Sequence, residues 1–282
     1  MGINTIGIVG AGQMGSGIAQ ICAAAGLNVI MNDINDAAVQ RGIASVSSNL
    51  QRMVSKEKIS ADDAAAIMAR ISGTVTLADL SSADFLVEAA TENVAIKDQI
   101  LKSLDGIAKA DAIIATNTSS VSITKLATSL SDPSRLVGMH FFNPVPVMAL
   151  VEVIRGVQTS DATFDATKAL AERVGKTTVG IKNSPGFVVN RILIPMINEA
   201  IFVLQEGVAN AEEIDAGMKL GANHPIGPLA LADLIGLDTI LAVMEVFYRD
   251  FNDSKYRPAM LLKEMVDAGH LGRKTKKGFF TY

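Results

Sequence analysis

Apolar positions along the first two thirds of the chain fall into short runs separated by longer stretches of helical period. Thr5 to Gly10 predicts a buried strand, Gly15 to Ala25 a helix rich in small residues, and Asn28 to Asp33 a second strand. Further strands are expected over Asp84 to Glu88 and Ala112 to Thr116, with a helix around Ile96 to Leu104 between them. Arg135 to Met139, Ala149 to Ile154 and Thr177 to Ile181 extend the series. Strands alternating with helices argue for an α/β fold, a mainly parallel sheet with helices on both faces. Between Ala37 and Arg70 no strand signal stands out. Two helices fit there, broken near Glu57 to Ala61, and Ser60 with Asp63 has the spacing of a capping box. The pair is longer than a crossover requires, so it reads as an insertion made for ligand binding.

The pattern changes after Asn183. Ser184-Pro185 has the form of an N-cap followed by proline at the first helical position. A long apolar helix is expected from there to Leu204, interrupted by Pro195. Ala211 to Leu220, Pro228 to Phe247 and Pro258 to Ala268 also carry helical periods, and the terminal Gly278 to Tyr282 gives a late strand signal. The expected organisation is a sheet domain over residues 1–183, with a helical insertion at about 37–70, then an all-helical C-terminal domain over 184–282. The segments Ile192 to Leu204 and Leu229 to Phe247 are more hydrophobic than one covering layer needs. They predict a two-fold homodimer through the helical domain, or a higher homo-oligomer built from it.

Composition narrows the function classes. The formal net charge of -4 offers no electrostatic footprint for nucleic acid or an anionic membrane, so neither is expected as a partner. A single cysteine, Cys22, excludes an internal disulfide framework and a Cys-rich zinc site; it reads as a small buried hydrophobe, and no metal is expected. The 12 methionines read as core filling. Apolar runs are cut before they reach transmembrane length. The first residues lack the basic region of a secretory signal, so a cytoplasmic location is expected.

Gly10-Ala-Gly12-Gln13-Met14-Gly15 is a G-x-G-x-x-G that follows a predicted strand and opens a helix, the context that marks a Rossmann-type dinucleotide site. The first glycine permits the turn, the second lets a pyrophosphate approach the backbone, and the third lets helix and strand pack closely. The helix N-terminus supplies free N–H groups and partial positive charge. Asp33, at the end of the second strand, stands where an acid binds the ribose hydroxyls. No arginine or lysine stands beside it, so a 2′-phosphate is disfavoured and NAD is expected over NADP.

The segment from Gly138 to Glu152 places His140, Asn143 and Glu152 around two prolines. Histidine is the side chain best able to take and return a proton near neutral pH. A carboxylate such as Glu152 could hold its ring in one tautomer and stabilise its charged form. With a nicotinamide cofactor, this suggests oxidation of an alcohol in which His140 moves the proton and the cofactor the hydride. From residue types alone, His140 could equally be a satisfied core residue, Ser119 with Asn117 could end a strand and cap the next helix, and Arg52 with Lys56 could be a solvated helix face. His224, before Pro225, reads as structural.

Five strings carry a resemblance: Gly10 to Gln20, Asn117 to Ser120, His140 to Pro146, Pro185 to Arg191 and Lys219 to Pro225. Together they resemble the short-chain L-3-hydroxyacyl-CoA dehydrogenase family, especially its bacterial 3-hydroxybutyryl-CoA dehydrogenases, over essentially the whole chain. The resemblance implies NAD-dependent interconversion of (S)-3-hydroxyacyl-CoA and 3-oxoacyl-CoA, with His140 and Glu152 as an acid/base dyad. It implies Ser119 and Asn190 as substrate donors and Asn143 as an active-site residue on the cofactor side. Glu92 and Lys97 become contacts near the nicotinamide, and Lys274 a cofactor contact from the second domain. Arg52 and Lys56 become the cations that hold the CoA moiety. Relatives of this kind dimerise through the helical domain. A β-hydroxyacid dehydrogenase acting on a free acid would use a lysine as proton donor, and a non-catalytic relative would not need the dyad; His140, Glu152 and Asn190-Arg191 favour the CoA family.

Overall fold

A computed structural model describes residues 2–282, which divide after Ser184 into two units. The first unit alternates strand and helix through β1 (Thr5–Val9), α1 (Gln13–Ala24), β2 (Asn28–Asn32), α2 (Asp36–Ser55), α3 (Ala61–Met68) and β3 (Ile71–Thr74). It continues with β4 (Phe85–Glu88), α4 (Val94–Ile107), β5 (Ile113–Thr116), α5 (Ile123–Ala127), β6 (Leu136–Phe141), β7 (Leu150–Arg155), α6 (Asp161–Arg173) and β8 (Thr177–Lys182). The strands form one 8-stranded sheet in the order β3-β2-β1-β4-β5-β6-β7-β8. Every residue of β4 and β6 is buried, so both sheet faces are covered in the middle, as a parallel sheet with flanking helices requires. Ile6, Ile8, Val29, Phe85, Val87 and Val137 lie in its core. Each side chain of this size contributes about 1.5–3 kcal/mol when fully buried.

Two features of the sheet position chemistry. The order reverses at β1, which pairs with β2 on one side and β4 on the other, both parallel. Ligands of such sheets bind outside the carboxyl ends of the strands at this switch point. The second feature is a change of direction at β6–β7, which is antiparallel, whereas β7 and β8 are again parallel.

The helical insertion follows the expected pattern: Ser60 caps α3, and its side chain and that of Asp63 bond reciprocally to each other's backbone. The insertion does not run on into β4, however. Residues 71–74 form β3, an edge strand beside β2. Its sequence, Ile-Ser-Gly-Thr, is half polar and holds a glycine, so it lacks an apolar run that would mark it as a strand.

The second unit is helical: α7 (Val189–Gln205), α8 (Ala211–Gly221), α9 (Pro228–Ile235), α10 (Leu237–Phe251) and α11 (Met260–Asp267). Four expectations fail here. Ser184-Pro185 does not open α7, because Gly186 and Phe187 take φ of 72° and 54° and interpose a left-handed turn. Pro195 does not interrupt the helix; it costs one backbone bond, while Ile194, Ile197 and Ile201 hold both sides of it in the core. The expected single helix from Pro228 to Phe247 is two, broken at Gly236 with φ 104°. The terminal segment is no strand either. It wraps the buried carboxylate of Asp233, which accepts from the N–H groups of Phe279 and Phe280 at 2.9 Å each. Among the described residues no helix is long and apolar enough to cross a membrane.

Candidate active site

The glycine-rich turn leaves β1 and enters α1. A Cβ on Gly15 would stand 1.7 Å from the Gly10 carbonyl oxygen, so only glycine lets the helix pack on the strand. A Cβ on Gly12 would meet nothing within 4 Å, so backbone is exposed there at the start of α1, where N–H groups are unpaired by the helix itself. Asp33 follows the last residue of β2. Its carboxylate accepts from the N–H of Ala11 and of Ile34, both at 2.7 Å, and is thereby fixed against the turn. These residues line a cleft of about 570 Å³ with Ala11, Gly12, Gln13, Ser16, Asp33 and Arg41 on its walls. Open backbone N–H groups for a pyrophosphate and an anchored acid for a ribose fit a bound dinucleotide. Arg41, eight residues beyond Asp33 on the first turns of α2, lines the same cleft.

On the other side of the switch point, the ends of β4 and β5 carry a polar network. Lys97, on α4, is buried and pairs with Glu88 at 2.6 Å, while its Nζ stands 3.9 Å from Glu92. The Thr116 hydroxyl donates to the same Glu88 oxygen at 2.7 Å. Glu92 in turn accepts from the Ser119 N–H at 2.7 Å, the Ser119 hydroxyl at 2.9 Å and the Thr118 hydroxyl at 2.6 Å. Glu92 and Ser119 are therefore one assembly. Lys97 lies beneath it, its amine turned towards the sheet. Asn117 neither caps a helix nor faces solvent: its side-chain oxygen accepts from the Phe141 N–H at 2.9 Å and ties the end of β5 to the end of β6. Ser122 is the cap of α5.

His140 and Glu152 are directly opposed in the antiparallel β6–β7 register. Residues opposed in this way put their side chains on one face, a few ångströms apart. His140 Nδ1 stands 2.8 Å from Glu152 Oε2, with both side chains buried. An ionised carboxylate can only accept, so Nδ1 carries the proton and Nε2 is the basic nitrogen. The Phe142 ring lies against the imidazole at 4.5 Å between centroids. Asn143 lies early in the β6–β7 loop and is exposed, with a cis bond to Pro144. The loop rests on Lys176, whose buried amine donates to the carbonyls of Val145 at 2.5 Å and Met148 at 2.8 Å.

The remaining expected residues are dispersed. Arg52 and Lys56 stand one turn apart at the C-terminal end of α2, both exposed. In the second unit, Asn190 is in the first turn of α7, and the Lys274 amine pairs with Asp238 at 2.6 Å, at the start of α10.

Family models match both units. Residues 5–184 match the 3-hydroxyacyl-CoA dehydrogenase NAD-binding domain, and residues 186–282 match the 3-hydroxyacyl-CoA dehydrogenase C-terminal domain. The chain belongs to the 3-hydroxyacyl-CoA dehydrogenase family. Within that family it is 49% identical to the 3-hydroxybutyryl-CoA dehydrogenase of Bradyrhizobium diazoefficiens, over 99% of this chain and 96% of the relative. It is 51% identical to the probable 3-hydroxybutyryl-CoA dehydrogenase of Bacillus subtilis, over 100% of this chain and 98% of the relative. The crystal structure of (S)-3-hydroxybutyryl-CoA dehydrogenase PaaH1 from Ralstonia eutropha superposes with a TM-score of 0.98 at 63% identity, covering 100% of this chain and 99% of that one. As a 3-hydroxyacyl-CoA dehydrogenase family member, the chain is an oxidoreductase that uses NAD.

Sequence reasoning passed over Glu88, Arg41 and Lys176. Glu88 carried a signal, a lone acid closing an otherwise apolar strand. The other two reach their places through helix and loop geometry that no local pattern encodes.

Proposed function

We propose that the chain interconverts (S)-3-hydroxybutyryl-CoA and acetoacetyl-CoA with NAD, and that His140 is the acid/base. The observation that carries this reading is the buried His140–Glu152 pair at 2.8 Å, built on opposed strands beside the ends of β5 and β6. In the oxidative direction the substrate C3 hydroxyl gives its proton to Nε2 while Nδ1 stays bonded to Glu152, which stabilises the imidazolium. In reduction the same nitrogen returns the proton. NAD supplies the hydride acceptor at its nicotinamide ring. Strand order sorts the cofactor's halves: Asp33 and β2 take the adenosine side, so the nicotinamide side falls over β4 and β5, where Glu92 and Ser119 stand. Ser119 donates to Glu92 in this structure, so its hydroxyl has to turn in order to donate to a substrate oxygen. Asn190 is assigned the same donor role, Asn143 and Lys274 a cofactor role, and Arg52 with Lys56 the CoA phosphates. The first unit is assigned cofactor binding and the second, through its helices, a cytoplasmic homodimer.

The test is steady-state reduction of acetoacetyl-CoA by NADH. His140→Ala lowers kcat by about two to four orders of magnitude, the range of general acid–base catalysis. Turnover near that of the wild type in this variant refutes the mechanism.

A further inference from the structure

Glu88 and Lys97 form a buried ion pair that no proton transfer in the proposed reaction requires. Removing charges from water costs several kcal/mol per ion, so a buried pair is a weak source of stability in its own right. The pair occupies a particular place. Glu88 closes β4, the strand next to the switch point, and Lys97 lies on the helix that follows. The lysine is shared unequally between two carboxylates, at 2.6 Å from Glu88 and 3.9 Å from Glu92. Glu88 is fully buried, whereas the Glu92 side chain is 49% exposed. The Glu92 carboxylate is therefore the one that presents its charge to whatever lies outside the strand ends.

We infer that Glu88 sets the relative affinity of the enzyme for oxidised and reduced NAD, by occupying Lys97 and so leaving the Glu92 carboxylate under-neutralised. This inference rests on the placement of the nicotinamide side over β4 and β5 proposed above. The argument is electrostatic. The oxidised nicotinamide ring carries a positive charge and the reduced ring is neutral. A carboxylate facing the ring therefore favours the oxidised form, and a cation facing it favours the reduced one. With Glu88 ionised, the three side chains sum to one negative charge, carried on the outward member. With Glu88 neutral, Lys97 has Glu92 as its remaining carboxylate among these residues, and the sum falls to zero. Thr116 and the N–H of Ala90 hold the Glu88 carboxylate in place: the hydroxyl donates at 2.7 Å and the N–H at 3.0 Å. Glu88 touches neither cofactor nor substrate in this scheme and is a positioning residue for charge.

The experiment measures dissociation constants of NAD+ and NADH, without acyl-CoA, by calorimetry and by NADH fluorescence at one pH and ionic strength. In Glu88→Gln the ratio Kd(NAD+)/Kd(NADH) rises by about ten- to twentyfold, the size expected for one charge acting over about 10 Å at an effective dielectric of about 20. A variant in which only the packing suffered would weaken both forms equally, and that result overturns the inference, as does an unchanged ratio. The double variant Glu88→Gln/Lys97→Met removes both charges and returns the ratio to within about twofold of the wild type; a ratio that stays raised there also overturns it. If Glu88→Gln yields no folded protein, Lys97→Gln asks the question from the other end: the ratio must fall, and a ratio that holds or rises refutes the relay. Glu92→Gln separates the two levels of the argument. A ratio that rises in Glu92→Gln but not in Glu88→Gln removes the role of Glu88 and leaves the nicotinamide placement standing. A ratio that moves in neither removes the placement as well.

Discussion

Glu152→Gln isolates the charge in the dyad. The substitution keeps the size of the side chain at a fully buried site, and the amide oxygen can still accept from His140 Nδ1, so ring orientation and tautomer survive. What is lost is the negative charge 2.8 Å from the ring when the imidazolium forms. A hydrogen bond to a charged group contributes about 1.5–3 kcal/mol. That corresponds to about a ten- to 150-fold fall in kcat for the step in which the histidine gains its proton. Glu152→Ala falls further, because the tautomer is released and a cavity opens beside β7. The assay is oxidation of 3-hydroxybutyryl-CoA followed through NADH absorbance, with NADH binding titrated in parallel and thermal unfolding recorded for each variant. NADH affinity stays within about twofold, because Asp33 and the glycine turn lie at the far side of the switch point. Turnover within twofold of the wild type in folded Glu152→Gln refutes the view that the carboxylate stabilises imidazolium. A fall in turnover matched by an equal loss of NADH affinity assigns the pair to sheet architecture instead.

Asp33→Ala weakens NADH binding and narrows the gap to NADPH, the more so because Arg41 remains in the cleft to meet a 2′-phosphate; a wild-type preference for NADPH in kcat/KM refutes this reading of the second strand. Replacing Arg52 and Lys56 together with alanine raises KM for acetoacetyl-CoA more than for a truncated pantetheine thioester, and an equal effect on both returns these residues to a solvated helix face. Light scattering of the active protein gives a dimer mass or a multiple of it; a fully active monomer refutes assembly through the helical unit. Burial pushes the Cys22 thiol from 9.0 up to about 12, so folding favours the neutral thiol. Its contribution to stability is complete below pH 9 and is lost as pH rises towards 12, roughly 4 kcal/mol in all, so Cys22→Ala flattens the alkaline limb of a plot of Tm against pH.

The parts of the fold that could be read from the chain were those in which one local preference acts alone. β1, β2 and β4 to β7 are apolar runs between breakers, and the positions of these strands and of β8 were read to within a residue or two. β3 escaped because it is four residues long, half polar and holds a glycine. Gly236 escaped because a helix break by positive φ looks, in sequence, like one glycine within a helical period. Ser184-Pro185 misled because it carries a helix-start signal where the backbone turns left-handed first. In the candidate site the distinction is the same. His140 and Glu152 share one segment, and their meeting follows once β6 and β7 are antiparallel. Glu88 and Lys97 meet only when a helix folds back over a strand end, so their pairing belongs to packing and leaves no spacing to read.

The reversal of direction at β6–β7 has a consequence for how this protein can be altered. Parallel neighbours need a long crossover, whereas opposed strands can be joined by a short one. His140 and Glu152 are thus aligned by strand register, and the segment joining them takes no part in the alignment. Residues between Asn143 and Leu150 form, in effect, an interchangeable cassette. Its length and polarity can be rewritten, provided Val145 still fits against Gly17 of α1 and two carbonyls still reach Lys176. A single residue inserted within either strand does the opposite: it turns His140 and Glu152 to different faces of the sheet and silences the enzyme while leaving every strand in place.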